Sequence, residues 1–256
     1  MSGERVTAVN DGGLGRLILN NPPVNVLTIP VMEEAVDALG ELQENPEVKI
    51  ILVEAEGEKG FSAGVDVADH TPEKMEHMLG IFDDLCMGLY RSSKPTIAAV
   101  HGLVLGGGCE LAACCDLVVA ADNSVFGQPE IKVGVYPILG VALFPNLFGS
   151  KAANELLLSG RNFSAEEALS MGLVNRVVPL DRFQEEVQAF VGGLMKNSGK
   201  VMSLTKKAIL AAAGKDEDAA RAVAEEIYVN ELMKTQDANE GLAAFLEKRR
   251  PEWKEA

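Results

Sequence analysis

The chain has 256 residues, of which 47% are hydrophobic and 24% are charged. This composition is typical of globular proteins and excludes a disordered or fibrous one. Its 23 Lys and Arg residues against 38 Asp and Glu residues give a formal net charge of −15. Such a surface repels phosphate backbones and anionic lipids. We therefore expect no nucleic acid and no membrane among the partners, and an anionic ligand would need a local basic patch.

The four cysteines have the spacing of neither a disulfide framework nor a zinc site. Cys109, Cys114 and Cys115 lie within a seven-residue stretch that is apolar except for Glu110, and Cys86 stands apart. The first residues contain no apolar signal segment, and no run approaches the ~18–20 apolar residues of a membrane span. We expect thiols packed in the core, no metal site and a cytoplasmic location.

The first half of the chain alternates short apolar runs with amphipathic, helical patterns. The apolar runs predict strands at residues 17–19, 48–53, 96–100 and 117–121, and the helical patterns cover residues 29–43 and 71–91. Residues 48–53 are almost entirely apolar, which is typical of a strand buried on both faces. This order predicts an α/β core in which helices pack on a parallel or mixed sheet.

From Lys151 onward the pattern becomes mostly helical. Helices are predicted at residues 152–158, 165–171, 183–196, 201–213, 216–233 and 239–248. No Ser- or Gly-rich linker separates this part from the rest. We divide the chain into a core, residues 1–195, and a C-terminal helical region, residues 196–256.

Two glycine-containing segments could contact a ligand with their backbones. Residues 59–67 follow the strand at 48–53, and Gly106, Gly107 and Gly108 lead into an apolar helical run. Free N–H groups at such a helix start favour developing negative charge, as in an oxyanion hole. The glycines lack the spacing of a phosphate-binding or dinucleotide-binding loop. The alternatives are a surface turn for the first segment and a packing junction for the second.

Two glutamates stand out because their neighbours are apolar. Glu110 lies in the first turns of the run at residues 108–115, and Glu130 follows Pro129. Paired carboxylates in an apolar pocket suit acid–base catalysis in which one group is ionised and the other protonated. The alternative for each is a helix cap or a salt bridge.

The motifs together resemble the enoyl-CoA hydratase/isomerase (crotonase) superfamily, in matching order from about residue 5 to the C-terminus. The segments that carry the resemblance are NNPPVNVL (20–27), FSAGVD (61–66), HG (101–102), LGGGCEL (105–111), FGQPE (126–130), AEEA (165–168), GLVN (172–175), EG (240–241) and AFLEKR (244–249). The resemblance implies a spiral of ββα units with a C-terminal helical region that builds homo-trimers or dimers of trimers. It also implies an acyl-CoA thioester as substrate, so that coenzyme A is part of the substrate and no separate cofactor is needed.

The resemblance also implies roles for individual residues. The N–H groups of Val65 and Gly107 would hold the thioester oxygen, while Glu110 and Glu130 would handle the protons during addition of water to the double bond. Further residues expected to contact the substrate are Val24, Val26, Ala63, Gly64, Asp66, Gly106, Tyr136, Phe245 and Lys248. Phe245 and Lys248 would reach the adenine and a phosphate from a neighbouring subunit. Arg249 and Arg250 either extend this basic patch or form a solvated helix end.

One segment departs from the pattern of straight-chain hydratases. Residues 134–145 are bulky and apolar where small and polar residues are usual, and Tyr136, Ile138, Leu139 and Phe144 would shape the acyl pocket. This segment resembles hydratases of cyclic dienoyl-CoA esters, the cyclohexa-1,5-diene-1-carbonyl-CoA hydratases. The alternatives are an enoyl-CoA isomerase or a hydrolase on the same fold, a non-catalytic CoA-binding scaffold and an RNA-binding homologue. The acidic surface disfavours RNA, and the paired glutamates disfavour an inert scaffold and favour hydration.

Overall fold

A computed structural model describes residues 5–255. Its strands are β1 (Val6–Asp11), β2 (Leu14–Leu19), β3 (Ile50–Ala55), β4 (Gly60–Ser62), β5 (Thr96–Val100), β6 (Leu103–Leu105), β7 (Leu117–Ala121), β8 (Val125–Gly127), β9 (Asn162–Ser164) and β10 (Arg176–Val178). Its α-helices are α1 (Ile29–Glu44), α2 (Met75–Tyr90), α3 (Gly107–Ala113), α4 (Ile138–Phe148), α5 (Ser150–Ser159), α6 (Ala165–Met171), α7 (Phe183–Leu194), α8 (Gly199–Ala212), α9 (Glu217–Asn230) and α10 (Gln236–Glu247).

The strands form two mixed sheets. The larger sheet has the order β1-β2-β3-β5-β7-β10, and the smaller has the order β4-β6-β8-β9. Three successive ββα units, β3-β4-α2, β5-β6-α3 and β7-β8-α4, each contribute one strand to each sheet. The predicted α/β core is therefore confirmed, and its units repeat in a spiral.

The central strands of the larger sheet are buried on both faces, as the sequence predicts. Along β3, Ile51 and Val53 pack into the main core, whereas Ile50 and Leu52 face a second cluster built with α7. Strands β5 and β7 alternate in the same way. Removing apolar side chains from water on both faces is the main stabilising contribution of such a sheet.

The structure adds two details to the sequence interpretation. The segment at residues 134–145, expected to shape the acyl pocket, includes most of α4, which holds Pro145. The mostly helical region after Lys151 also includes the short strands β9 and β10. The boundary at residue 195 falls between α7 and α8, and the division into two regions stays a prediction.

Two further features bear on the expected class of protein. Among residues 5–255, none of the helices is long and apolar enough to cross a bilayer. All four cysteines are free and buried, in agreement with thiols packed in the core. The cytoplasmic location stays a prediction.

Candidate active site

The candidate site lies at one edge of the smaller sheet. Strands β4, β6 and β8 are parallel neighbours, so their carboxyl ends meet at that edge. The loop at residues 63–66 follows β4, helix α3 follows β6, and a 3-10 turn, Pro129–Val133, follows β8. Each ββα unit thus delivers one of the candidate segments to a single place, which is where ligands commonly bind in α/β sheets.

The N–H group of Val65 is free because of how its loop pairs with residue 27. In this parallel bridge Leu27 makes both hydrogen bonds, donating to the Gly64 carbonyl at 2.9 Å and accepting from the Asp66 N–H at 3.1 Å. Val65 contributes no group to the bridge, and its N–H has no acceptor among residues 5–255. It remains available for a ligand oxygen.

Gly107 supplies a second free N–H because it is the first residue of α3. The first N–H groups of a helix have no acceptor within the helix, and that of Gly107 has none in the described part of the chain. A Cβ placed on Gly107 would approach Cγ2 of Val65 to 2.8 Å, so the two residues are in contact. The residues that carry the two donors are therefore neighbours, as an oxyanion hole requires.

The loop that carries Val65 is fixed by buried polar groups. Ser62 Oγ donates to the Asn25 carbonyl at 2.7 Å and accepts the Gly64 N–H at 3.1 Å. The Asn25 amide in turn donates to the carbonyls of Glu56 and Gly60, both at 2.9 Å. Because these bonds are satisfied within the protein, the Val65 N–H is held in place before any ligand arrives.

Glu110 is almost completely buried, at 4% exposure, in the first turn of α3. Its Oε1 accepts the N–H of Gly140, in the first turn of α4, at 2.8 Å. Burial raises the pKa of this carboxyl to about 7 and the charge of Glu130 adds to the rise, although the bonds from Gly140 and Leu139 oppose it. A carboxyl with such a pKa can donate or accept a proton near neutral pH.

Glu130 lies in the 3-10 turn after β8, partly buried, and burial raises its pKa to about 7 as well. With its amide nitrogen facing the carboxylate, the fully buried Gln128 donates to both carboxyl oxygens of Glu130, at 3.0 and 3.1 Å. A Cβ on Gly106 would approach Oε1 of Glu130 to 2.7 Å, which places this carboxyl beside the start of α3. The alternative of a helix cap applies in part to Glu110, because the N–H that it accepts belongs to the first turn of α4.

These groups share one cavity of about 580 Å³. The predicted residues that line it are Ala63, Gly64, Val65, Gly106, Gly107, Glu110, Glu130, Tyr136 and Ile138. The lining residues that the sequence interpretation did not assign are Val67, His70, Met75, Met78, Leu79, Phe82, Pro129, Val133, Gly134, Val135 and Pro137. The volume lies in the range typical of small-molecule sites.

Other predicted residues lie elsewhere. Leu139 and Phe144 are buried in the main core. Val24, Val26 and Asp66 do not line the cavity; the Val24 carbonyl accepts the Ala63 N–H at 2.9 Å, and the Asp66 carboxylate accepts that of Ala68 at 2.9 Å. Phe245 and Lys248 lie on and after α10 and do not line this cavity either, so their substrate contacts stay a prediction about a neighbouring subunit.

The site residues that the sequence analysis did not assign differ in how visible their role was in the sequence. Gln128 is a polar residue next to Pro129-Glu130, so its position beside the carboxyl was accessible from the sequence. The part of the wall that α2 supplies, Met75 to Phe82, could not be predicted from the sequence. An amphipathic pattern shows which face of a helix is apolar, but it does not show that part of this face borders a cavity. Among the described residues no three His, Cys, Asp or Glu side chains are grouped as metal ligands.

The raised pKa of Glu110 predicts a pH-dependent effect on stability. A carboxyl whose pKa is raised in the folded state stabilises the protein below about pH 4.5, and this contribution is lost as pH rises through about 7. Glu110→Gln, which keeps an acceptor for Gly140 and no charge, should therefore raise the free energy of unfolding at pH 8 by ~2 kcal/mol, or about 4–8 °C in Tm. At pH 5 the difference should be much smaller.

The matched control is Glu240→Gln, where the opposite sign is expected. Hydrogen bonds from Arg249 lower the pKa of Glu240 to about 2, so its ionised form stabilises the fold and the variant should be less stable than the parent at pH 8. Thermal unfolding of both variants at pH 5 and pH 8 measures the two effects. A Glu110→Gln variant that is less stable than the parent at pH 8 contradicts the assigned burial cost.

Comparison with known proteins gives a consistent result over the whole chain. Residues 10–256 match the family model described as enoyl-CoA hydratase/isomerase. The chain is 34% identical over 255 residues to a crotonyl-CoA hydratase of Syntrophomonas wolfei subsp. wolfei, covering 98% of both chains. It is 33% identical over 249 residues to a cyclohexa-1,5-dienecarbonyl-CoA hydratase of Thauera aromatica, covering 97% of this chain and 96% of that one.

The fold agrees with a solved structure of the same group. The chain superposes on an enoyl-CoA hydratase from Bacillus anthracis with a TM-score of 0.93 at 29% sequence identity, covering 98% of this chain and 100% of that one. The predicted crotonase-like spiral of ββα units with C-terminal helices is thereby confirmed.

Proposed function

Because the chain belongs to the enoyl-CoA hydratase/isomerase family, we propose that this cavity adds water across the Cα=Cβ double bond of an enoyl-CoA thioester. The observation that supports this best is the pairing of two carboxyls, each with a pKa of about 7, with two free N–H donors in one cavity. An inert CoA-binding scaffold would have no use for buried carboxyls that are costly to ionise.

The reaction uses these groups as follows. The thioester oxygen accepts hydrogen bonds from Val65 and Gly107, and negative charge builds on it as the water oxygen bonds to Cβ. One carboxyl of the Glu110–Glu130 pair takes a proton from the water, and the other gives a proton to Cα, so that H and OH are added and the double bond is consumed. Because the thioester carbonyl is neutral before reaction, the two N–H donors favour the transition state over the substrate.

The first test is water addition to crotonyl-CoA. The reaction is monitored through the loss of absorbance of the conjugated thioester. Formation of a 3-hydroxyacyl-CoA supports the proposal. A product in which the double bond has moved without gain of water would assign isomerase activity instead, and release of free coenzyme A would assign a hydrolase.

For the acyl group we propose a ring, as in cyclic dienoyl-CoA esters. Tyr136 and Ile138 line the cavity together with Val133, Val135 and Pro137. These bulky side chains favour a compact, rigid acyl group. A flexible chain would lose more conformational freedom on binding. The chain is about equally similar to the Thauera aromatica cyclohexa-1,5-dienecarbonyl-CoA hydratase and to the Syntrophomonas wolfei crotonyl-CoA hydratase, so the proposal of a ring rests on the cavity wall.

A cyclic dienoyl-CoA should therefore have a kcat/KM about 10- to 200-fold above that of crotonyl-CoA, the range of discrimination that apolar pockets achieve. Ile138→Ala should reduce this ratio. Ile131→Ala, a change of equal size on the 3-10 turn but outside the cavity wall, should leave it unchanged. Steady-state kinetics on both substrates decides, and an equal or higher kcat/KM for crotonyl-CoA contradicts a cyclic acyl group.

We also propose that the chain acts as a homo-trimer or a dimer of trimers in which the C-terminal helices complete the coenzyme A site. Several apolar side chains are exposed on α9 and α10, namely Tyr228, Val229, Leu242, Phe245 and Leu246. Phe245 is 82% exposed, an arrangement that favours contact with another subunit or a ligand. Arg249 is held by Glu240 and Glu247, which leaves Lys248 and Arg250 as candidates for a phosphate.

Phe245→Ala should raise KM for an acyl-CoA about tenfold if the ring stacks on the adenine. The control is Leu158→Ala, which removes an exposed apolar side chain of α5. Light scattering of the parent chain reports the assembly. A fully active monomer, or an unchanged KM in the Phe245 variant, contradicts a site shared between subunits.

A further inference from the structure

His70 is a polar side chain in an otherwise mostly apolar part of the cavity wall. It comes immediately after the 3-10 turn Val67–Asp69, five residues beyond Val65. The same cavity is also lined by Val67 and by the α2 residues Met75, Met78 and Leu79. The proposed mechanism uses Val65, Gly107 and the two glutamates, and it gives no role to this imidazole.

The hydrogen bond of its other nitrogen fixes the tautomer of the neutral ring. His70 Nδ1 lies 3.0 Å from the carbonyl oxygen of Asp66. A carbonyl oxygen only accepts, so Nδ1 carries the proton and donates to it. In the neutral ring Nε2 is then a hydrogen-bond acceptor, and none of residues 5–255 donates to it.

The turn that carries His70 is held from both sides. Asp69 is buried, and its carboxylate accepts the N–H of Ile29, at the start of α1, at 3.0 Å and the Lys74 ammonium at 2.8 Å. The Asp66 carboxylate caps the turn by accepting the Ala68 N–H at 2.9 Å. The imidazole therefore stands on an anchored backbone, as expected of a group that selects a ligand.

An acceptor in this position affects which acyl groups bind well. A hydrocarbon acyl group displaces water from Nε2 and offers no hydrogen bond in return, which costs binding free energy. An acyl group with a hydroxyl in reach restores that bond. Such asymmetry is how polar groups in a pocket reject ligands that lack the matching donor.

We propose that His70 is a specificity-determining residue whose Nε2 accepts a hydrogen bond from a hydroxyl on the acyl portion of the substrate or product. The proposal rests on the proposed function, because it assumes that an acyl-CoA occupies this cavity. It deepens that function by naming a class of acyl group, a ring or short chain that carries a hydroxyl.

The test compares saturated acyl-CoA esters, which bind but have no double bond to hydrate. The probes are cyclohexanecarbonyl-CoA and its 3- and 4-hydroxy derivatives, whose hydroxyls are not on Cβ, where the two glutamates act, and calorimetry gives the Kd of each. For the parent protein we expect at least one hydroxylated ester to bind about three- to tenfold more tightly than the unsubstituted ester, the size of one neutral hydrogen bond. His70→Met, which fills similar volume with a poor acceptor, should abolish this ratio.

Two further variants control for folding and for general effects. His70→Gln retains an acceptor oxygen and should keep part of the ratio. His77→Met makes the same change at an exposed histidine, paired with Glu33 outside the cavity, and should keep all of it. Thermal unfolding establishes whether the variants are folded. If His70→Met does not fold, the ratio of the Kd values of the unsubstituted and hydroxylated esters in His70→Gln decides the test.

The proposal is overturned if no hydroxylated ester binds the parent more tightly than the unsubstituted ester, or if the preference survives in His70→Met. It is also overturned if His70→Met weakens binding of all three esters equally, which would place His70 on the coenzyme A portion they share. Hydration of crotonyl-CoA is assayed separately, so failure of the proposed function is distinguished from failure of this inference.

Discussion

Replacing either carboxyl of the cavity by an amide should abolish most of the activity. Glu110→Gln and Glu130→Gln each remove a proton donor and acceptor whose pKa lies near 7, and general acid–base groups of this kind contribute about 10²–10⁴-fold to kcat. Because the amide has nearly the same shape, KM for an enoyl-CoA should change far less than kcat. Steady-state hydration of crotonyl-CoA or of a cyclic dienoyl-CoA measures both parameters.

The two carboxyls are expected to act as one unit on the same water. The double variant should therefore lose little more activity than the worse single variant, instead of the product of both losses. Glu166→Gln, the same substitution at an exposed position in the first turn of α6, serves as the control and should keep full activity. A single variant that retains kcat within tenfold of the parent would exclude that glutamate from the acid–base role.

Gly64→Ala should reduce kcat about 10²–10³-fold, the loss expected when one donor of an oxyanion hole is misplaced. Gly64 has φ +95°, and a Cβ at this residue would lie 2.8 Å from the Leu105 carbonyl oxygen and 3.1 Å from the Gly107 nitrogen. Both are backbone atoms of the segments that form the hole, so they cannot move aside without displacing it. The loop must shift instead, and the adjacent Val65 N–H moves with it.

Gly57→Ala separates this effect from backbone strain alone. Gly57 has φ +92°, and a Cβ there would meet no heavy atom within 4 Å. The Gly57→Ala variant should lose ~1–2 kcal/mol of stability because alanine is unfavourable in this backbone conformation, and its kcat should be unchanged. Should Gly64→Ala not fold, Gly107→Ala, whose Cβ meets the Val65 side chain at 2.8 Å, tests the same hole. Unchanged kcat in a folded Gly64 or Gly107 variant would contradict the oxyanion role.

The sequence alone determined the features that depend on local chemistry. Helix α6 begins and ends where it was predicted, because Ser164 and Glu167 form a capping box and Gly172 ends the helix in the left-handed conformation. Strands β5 and β7 also have the predicted bounds, since their continuous apolar runs suit strands buried on both faces. The two glycine segments and the two glutamates were noticed because glycines before a helix and carboxyls among apolar residues are visible in any sequence. The assignment of Val65 and Gly107 as oxyanion donors came from the resemblance to the crotonase superfamily.

Only the tertiary structure decided how these parts meet. Strands β4, β6 and β8 have three residues each, too short for a periodic signal, yet their parallel pairing brings Val65, Gly107 and Glu130 to one edge. The two pKa values of about 7 follow from burial, which depends on α2 and α4 packing over the site. His70 has no feature in the sequence that assigns it a role. Its tautomer and its place in the cavity come from a turn anchored to α1, a contact between residues 40 positions apart that no local pattern records.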